Sequence, residues 1–172
     1  DLKGLLPKEE IQSLIERIVS RGGMVKNLHG QKNLYYQVNA TYYSALGASD
    51  EKMLLARAIQ MFMPGKPQVW YLDLFAGKND HEAVQRAGES GHKEITRTNL
   101  SVDQIAEGLK KDVVQKQLAL IRMRNTHKAF SEGAEVTISG EESSLEIRWE
   151  YDGAYAELHV NFEEGTYTIE SN

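Results

Sequence analysis

The hydrophobic and polar positions of this chain follow a helical period over its first two thirds and a strand period in its last part. One apolar stripe at helical spacing in residues 9–20 comprises Ile11, Leu14, Ile15, Ile18 and Val19. This stripe predicts a helix that packs on one side and faces water on the other. Residues 53–63 are apolar nearly all round, with Asp50 as the predicted cap, and predict a helix that is covered on most sides.

Residues 68–75 are an apolar and aromatic run that follows Pro64-Gly65 and Pro67. A run with little alternation is typical of a parallel strand buried on both faces. The order of helix, short turn, strand and Gly-rich loop is one repeat unit of an α/β barrel or a doubly wound sheet. Because barrel ligands are bound by the loops that follow the strands, residues 76–99 are predicted to line a site.

The remaining helical part contains one long segment without a clear period and two predicted helices. Residues 24–49 are predicted to be an irregular, functional loop. Ser101 and Gln104 resemble a capping box before a helix over about 102–110. A further helix over about 112–126 has one buried stripe.

After Phe130 the period changes to two residues, which predicts strands. Residues 145–151 and 154–162 alternate apolar and polar side chains around Asp152-Gly153, a strong hairpin signal. With the flanking runs 134–139 and 165–171 they predict an antiparallel meander of about four strands. We therefore predict an α/β protein in which residues 1–130 are the C-terminal segment of a (β/α)₈ barrel and residues 131–172 are a small antiparallel β domain.

Net charge, hydropathy and the absence of cysteine argue against several classes of function. The net charge is −5 over 172 residues, which argues against nucleic acid or an anionic membrane as a partner. No apolar run reaches the length of a membrane span, and cysteine is absent. Together these features favour a cytoplasmic protein without thiolate chemistry. No spacing indicates a metal site, a dinucleotide site or a phosphate-binding P-loop.

A few residues are candidates for binding on their chemistry alone. The segment 24–33 contains Lys26, His29 and Lys32 and no acid, and it leads into Tyr36 and Gln37, a set that suits a sugar or a phosphate-bearing ligand. A solvated loop is the alternative. Two further residues have open roles. Arg97 is either a ligand-binding guanidinium or a surface arginine, and Asp73 is either catalytic or a buried hydrogen-bonding group.

Four strings of the chain resemble one family of enzymes. They are YQVNATYYSALG, LLARAIQMFMPGKPQVWYLDLFAGKND, GHKEITR and IRMRNTHKAF. In this order they resemble the C-terminal third of sucrose phosphorylases, which are retaining α-amylase-type enzymes of glycoside hydrolase family 13. The likeness runs from about Gly4 to Phe130, and the meander corresponds to the family's C-terminal β domain.

The resemblance implies an enzyme that transfers glucose from an α-glucoside to inorganic phosphate and releases α-glucose 1-phosphate. It implies a double displacement through a glucosyl-enzyme, with phosphate as co-substrate and no cofactor or metal. In the family the nucleophile, the acid/base and the stabilising carboxylate all precede the matched part. The chain is therefore expected to contain no catalytic residue, to need the rest of the barrel as its partner, and to be inactive alone.

The resemblance also assigns binding residues. Arg97 matches the arginine that holds the non-reducing glucose, and Tyr36 and Gln37 match a mobile loop that binds the acceptor sugar or phosphate. The chain departs from the family at Leu34, where the family has aspartate, and at the two neighbours of Arg97.

These departures, together with Lys26, His29 and Lys32, favour an acceptor with negative charge, such as fructose 6-phosphate or glycerate. Two alternatives stay open. One is an independent, non-catalytic module that binds carbohydrate or a partner. The other is a hydrolase or transglucosidase on the same barrel, which phosphate dependence of turnover would distinguish.

Overall fold

The computed structural model of the chain describes residues 4–27 and 35–172. They fall into two compact units. The first unit comprises the described residues of Asp1–Ala48 together with Tyr71–Ile105, and the second comprises Ser49–Trp70 and Ala106–Asn172. Among the helices that the structure describes, none is long and apolar enough to cross a membrane.

Helices dominate the chain as far as Phe130, and strands follow. In chain order the elements are α1 (Lys8–Ser20), β1 (Met24–Asn27), β2 (Tyr35–Asn39), α2 (Tyr42–Ala45), α3 (Asp50–Phe62), α4 (Tyr71–Leu74), α5 (His81–Ala87), a 3₁₀ segment (Gly88–Thr96), α6 (Val102–Gly108), α7 (Asp112–Thr126), a 3₁₀ turn (Lys128–Phe130), β3 (Glu135–Glu141), β4 (Ser144–Tyr151), β5 (Ala154–Asn161) and β6 (Thr166–Ser171). The helices predicted at 9–20, 53–63, 102–110 and 112–126 are confirmed, as are the four strands of the meander.

Side-chain hydrogen bonds cap the N-termini of two predicted helices, and the structure corrects one of the predicted cap residues. The capping box at α6 is reciprocal, because the Gln104 N–H donates to Ser101 Oγ (3.2 Å) and the Ser101 N–H donates to Gln104 Oε1 (2.8 Å). At α3 the cap is Ser49 rather than Asp50, since Ser49 Oγ accepts from the Lys52 N–H. Asp50 is instead the first helical residue, where a negative charge favours the helix N-terminus.

Two predictions about the first 75 residues were wrong. The segment 24–49 is not irregular in its described part, because β1 and β2 pair as an antiparallel ladder and α2 follows. The run 68–75 is not a strand, since 68–70 have no regular structure and Tyr71–Leu74 form a helical turn. A strand needs at least one hydrogen-bonded neighbour, and no strand in the described ranges pairs with this run.

The second unit is a helix pair, α3 and α7, packed with the sheet β3-β4-β5-β6 around one hydrophobic core. The inward positions of the central strands are buried and comprise Ile147, Trp149, Ala156, Leu158 and Val160. The indole N–H of Trp149 donates to the Phe62 carbonyl (2.6 Å), and Phe130 meets the Phe62 ring edge-on at 5.2 Å. The turn Asp152-Gly153 has φ of 46° and 77°, the left-handed geometry that the hairpin requires.

A charged residue lies inside the helix predicted to be apolar all round. Arg57 of α3 is 2% exposed, and its Nε donates to Oε1 of Gln117 on α7 (2.9 Å). A second guanidinium hydrogen bond goes to Gln60. Burial of a charge is tolerated here because the guanidinium has amide acceptors. The predicted division into a barrel segment 1–130 and a β domain 131–172 stays a prediction.

Candidate functional site

The hairpin of β1 and β2 places two predicted ligand-binding residues opposite each other. Lys26 pairs with Gln37 in the antiparallel register, so their side chains lie on the same face of the hairpin. Gln37 is half-buried, and its Oε1 is enclosed without a hydrogen-bond donor among the described residues. Asn39, two residues further on the same face, is 8% exposed and its Nδ2 also has no acceptor there. The hairpin therefore offers buried amide groups beside a lysine.

The 3₁₀ segment Gly88–Thr96 packs against both strands of the hairpin and contributes a histidine. A Cβ on Gly91 would meet the Val84 carbonyl at 2.5 Å, so only glycine allows this segment to lie so close to α5. The next residue, His92, is half-buried. Burial lowers its pKa, and the charges of Lys26 and Lys93 lower the pKa further. Lys26, His92 and Lys93 thus form a cluster of neighbouring basic side chains, the basic cluster.

Arg97 lies directly after the 3₁₀ segment, on a cavity of about 480 Å³ that Asp80, Glu94 and Thr98 also line. Its side chain is 51% exposed and pairs with Glu94 (3.1 Å). Asp80 caps α5 by accepting from the Ala83 N–H (2.8 Å) and also accepts from the Thr98 hydroxyl (2.9 Å). These hydrogen bonds lower the pKa of Asp80, so the carboxylate stays ionised and fixes the chain next to Arg97.

Further hydrogen bonds hold the segment after the hairpin against the loop 76–80. The Thr41 N–H donates to Asn79 Oδ1 (2.7 Å), and the Asn79 N–H donates to Ser44 Oγ (3.0 Å). The Tyr42 N–H donates to Asp73 Oδ1 (2.8 Å). Of the two roles left open for Asp73, this bond supports the structural one, because the carboxylate serves as an acceptor for backbone.

The structure brings together only part of the predicted binding set. Lys26, Gln37 and Arg97 lie in the first unit, and the backbone of Tyr36 is part of β2. The predicted anion-binding residues His29 and Lys32 lie outside the described residues. His92 was missed, because the five histidines show no paired spacing in sequence. Its position beside Lys93 in the string GHKEITR was the available signal.

One group of described residues has the ligand types of a metal site. Glu146, Glu157 and His159 lie on the polar face of the sheet, with ligand atoms within 4.8 Å of one another. Arg148 already donates to Glu157 (2.8 Å), so a cation would compete with a guanidinium for this carboxylate. None of the predicted binding residues belongs to this group.

A cavity of about 850 Å³ in the second unit is lined by aromatic side chains and an arginine. Its lining includes Arg124, Phe130 and Trp149. The Arg124 guanidinium lies 4.7 Å from the Phe130 ring centre and 4.2 Å from that of Trp149. This stacking is worth about 0.5–2 kcal/mol per contact and makes the arginine a part of the packing.

Comparisons with known proteins identify relatives that are glycoside phosphorylases. The chain is 51% identical over 170 residues to the sucrose 6(F)-phosphate phosphorylase of Ilumatobacter coccineus, covering 97% of this chain and 32% of the relative. It is 38% identical over 175 residues to the sucrose phosphorylase of Agrobacterium vitis, covering 96% and 34%. The chain thus spans about a third of the length of the curated relatives it matches. No model of a protein family matches it.

A solved structure also resembles the chain. The crystal structure of sucrose 6F-phosphate phosphorylase from Thermoanaerobacter thermosaccharolyticum superposes with a TM-score of 0.92 at 37% identity, covering 99% of this chain and 34% of that one. The predicted fold class, the C-terminal part of a barrel followed by a small antiparallel β domain, is confirmed by this match.

Proposed function

Because this chain is homologous to the C-terminal portion of the sucrose phosphorylase group, we propose that it contributes to a retaining glycoside phosphorylase. The enzyme transfers glucose from a phosphorylated, sucrose-like α-glucoside to inorganic phosphate and gives α-glucose 1-phosphate. The 51% identity with a sucrose 6(F)-phosphate phosphorylase over nearly the full chain carries this proposal. Phosphate is the co-substrate, and no cofactor takes part.

The charge of the first unit supports an anionic acceptor. Lys26 is exposed on the hairpin and forms no ion pair with any other residue that the structure describes. A lysine without an internal carboxylate is available for a phosphate group as a point charge. Gln37, directly opposite in the register, offers a buried amide oxygen to a sugar hydroxyl. The acceptor is therefore fructose 6-phosphate, with glycerate as the smaller anion that the test must compare.

In this proposal Arg97 binds the glucose. Its present partner, Glu94, is half-exposed, and an exposed ion pair is worth only about 0–1 kcal/mol. Sugar hydroxyls can therefore replace Glu94 at small cost, and the planar guanidinium then fixes their orientation. Tyr36 precedes Gln37 on β2, and we assign it to the acceptor as well.

The chemistry itself lies elsewhere in the enzyme. A double displacement needs a carboxylate nucleophile and a second carboxylate as acid and base, and we assign both to the part of the relatives that this chain does not cover. The chain alone is then inactive, and the remainder of the barrel is its partner. Its own residues hold the glucosyl group in both steps and the departing sugar in the first step; phosphate then attacks the glucosyl-enzyme in place of water and releases α-glucose 1-phosphate.

The test is glucose 1-phosphate release by the full-length parent enzyme with three donors: sucrose 6F-phosphate, sucrose and glucosylglycerate. We expect kcat/KM to be highest for sucrose 6F-phosphate. The variant Lys26→Gln should lower that value about tenfold, as loss of one charged hydrogen bond predicts, and should leave sucrose unchanged.

A matched control is Lys116→Gln, which removes an exposed lysine from α7 and should change neither value. Equal or higher activity on plain sucrose would refute the anionic acceptor. Turnover that does not depend on phosphate would refute a phosphorylase and favour a hydrolase.

A further inference from the structure

We propose that the basic cluster, Lys26, His92 and Lys93, is a binding site for a phosphate monoester, with His92 as a direct ligand of the phosphate. This inference rests on the proposed function and deepens it, because it assigns the acceptor's phosphate group to a site built from the hairpin and the 3₁₀ segment. Sequence spacing does not indicate His92 as a ligand, and its partner lysine lies 66 positions earlier in the chain.

The first support is the position of the imidazole. Nε2 of His92 is enclosed by protein and has no hydrogen-bond partner within the described ranges. A buried polar atom without a partner costs about 1–3 kcal/mol, and native structures retain such atoms chiefly where a water or ligand completes the bond. Gly91 and the close approach to α5 fix the backbone on one side of His92. The backbone that carries the imidazole is therefore closely packed against α5.

The second support is the local charge. Lys26 on β1 and Lys93 next to His92 both bring positive charge to the imidazole and disfavour its protonation. Neither lysine has a salt-bridge partner among the residues with described positions. The nearest acid along the segment, Glu94, is paired with Arg97. The two lysines are exposed, so both ammonium groups are free to bind a phosphate dianion through charge-assisted hydrogen bonds.

The third support identifies a sugar phosphate rather than a simple anion. Gln37 Oε1 lies on the same hairpin face as Lys26 and is a buried acceptor without a donor in the described part of the chain. An acceptor cannot bind a phosphate oxygen, but it can accept from a sugar hydroxyl. The combination of cations for the phosphate and an acceptor for a hydroxyl fits a phosphorylated sugar.

The experiment uses the full-length parent enzyme, in which this chain has its proposed partner, and three probes: inorganic phosphate, fructose 6-phosphate and fructose. Binding is followed by NMR through the His92 imidazole signals, from which the pKa of His92 is also read. We expect fructose 6-phosphate to bind more tightly than either fragment and to raise the pKa of His92, because the bound dianion offsets the two lysines. His92→Gln and Lys93→Gln should each weaken binding about tenfold, as loss of a charged hydrogen bond predicts.

His81→Gln is the matched control, since His81 is an exposed histidine of the same unit, and it should bind like the unmodified chain. No binding of any probe, or equal binding by the His92→Gln variant, would overturn the inference. Equal affinity for inorganic phosphate and fructose 6-phosphate would show that the site binds any oxyanion. That result would overturn the assignment of a sugar phosphate as its ligand. If fructose 6-phosphate binds as expected but the parent does not cleave sucrose 6F-phosphate, the proposed function fails and the site stands.

Discussion

The two units of this chain bury different kinds of side chain. The second unit has a continuous apolar core, with Ile147, Ala156 and Leu158 fully enclosed. The first unit buries few large apolar residues and instead encloses the polar groups of Asn39, Thr41 and Ser44. Burial of apolar area is the main stabilising term in folding, whereas enclosed polar groups contribute little net stability.

We infer from this difference that the second unit stabilises the fold and that the first unit binds the ligand. In the second unit the buried Trp149 indole and Arg57 guanidinium both donate to internal partners. In the first unit, buried side-chain atoms of Gln37, Asn39 and His92 have no partner among the described residues. The second unit also encloses such an atom, Arg124 Nη1, but the same guanidinium donates through Nη2 to the Gly65 carbonyl. Polar atoms that are shielded from water but not satisfied internally are available to a ligand. We therefore expect substitutions in the second unit to change the free energy of unfolding most, and those in the first unit to change binding most.

The largest effect is expected for Trp149→Ala in the second unit. The indole is 7% exposed, donates to the Phe62 carbonyl and supports the Arg124 guanidinium. Its loss leaves a cavity and an unsatisfied carbonyl, and should lower the free energy of unfolding by about 4 kcal/mol. Urea unfolding followed by circular dichroism measures this change.

Phe162→Ala is the control for Trp149→Ala, because this aromatic residue is 47% exposed and its removal should cost less than about 1 kcal/mol. Similar losses for both variants would show that the sheet does not hold a specific core. The contrast between the two units would then lose its basis.

The same contrast explains what could be predicted from the sequence. The helices and the meander could be predicted from the spacing of their apolar residues. In the second unit each element buries one face against the core, and this produces a periodic apolar pattern in the sequence. The hairpin of β1 and β2 has only four and five residues per strand, too short for a visible alternation. The strand predicted at 68–75 was wrong because an apolar run this short does not by itself distinguish a buried strand from a helical turn.

The candidate site was less predictable than the fold. Arg97, Tyr36 and Gln37 came from resemblance to a family, and Lys26 from a local excess of positive charge. The proximity of Lys26 to His92 depends on how the 3₁₀ segment packs against the hairpin. No local pattern encodes a contact between residues so far apart in the chain.

An intermediate effect is expected for Gln117→Leu, which tests whether the buried charge of the second unit is held by its amide partners. Gln117 is fully buried, and its Oε1 accepts from Arg57. Removal of this acceptor leaves the Arg57 guanidinium with fewer hydrogen-bond partners. It should lower the free energy of unfolding by about 2 kcal/mol, measured by the same urea unfolding. Gln115 on the same helix serves as control, because it is exposed and donates only to the Leu109 carbonyl among the described contacts. Gln115→Leu should therefore cost less than about 1 kcal/mol of the free energy of unfolding. A loss as small for Gln117→Leu would mean that Arg57 is satisfied without Gln117.

The smallest effect on stability is expected in the first unit, for Asp80→Ala. The substitution removes the cap of α5 and should cost about 1 kcal/mol at neutral pH. In the unmodified chain the Asp80 carboxylate accepts hydrogen bonds from the Ala83 N–H and the Thr98 hydroxyl, and these bonds lower the pKa of Asp80 below the ordinary 3.8. The folded state therefore binds fewer protons than the unfolded state, and the contribution of the carboxylate is present above pH 3.8 and lost as the pH falls through the lowered pKa.

The difference between the unmodified chain and Asp80→Ala should accordingly shrink on acidification below pH 3.8, measured as the free energy of unfolding across a pH series. Ser101→Ala removes the neutral cap of α6 and should cost about 1 kcal/mol at every pH, which separates loss of a cap from loss of a charge. A pH-independent difference for Asp80→Ala would mean that the carboxylate is not favoured in the folded state. The cavity beside Arg97 would then lack a fixed wall, because the bond from Thr98 to Asp80 is what ties the residue after Arg97 to α5.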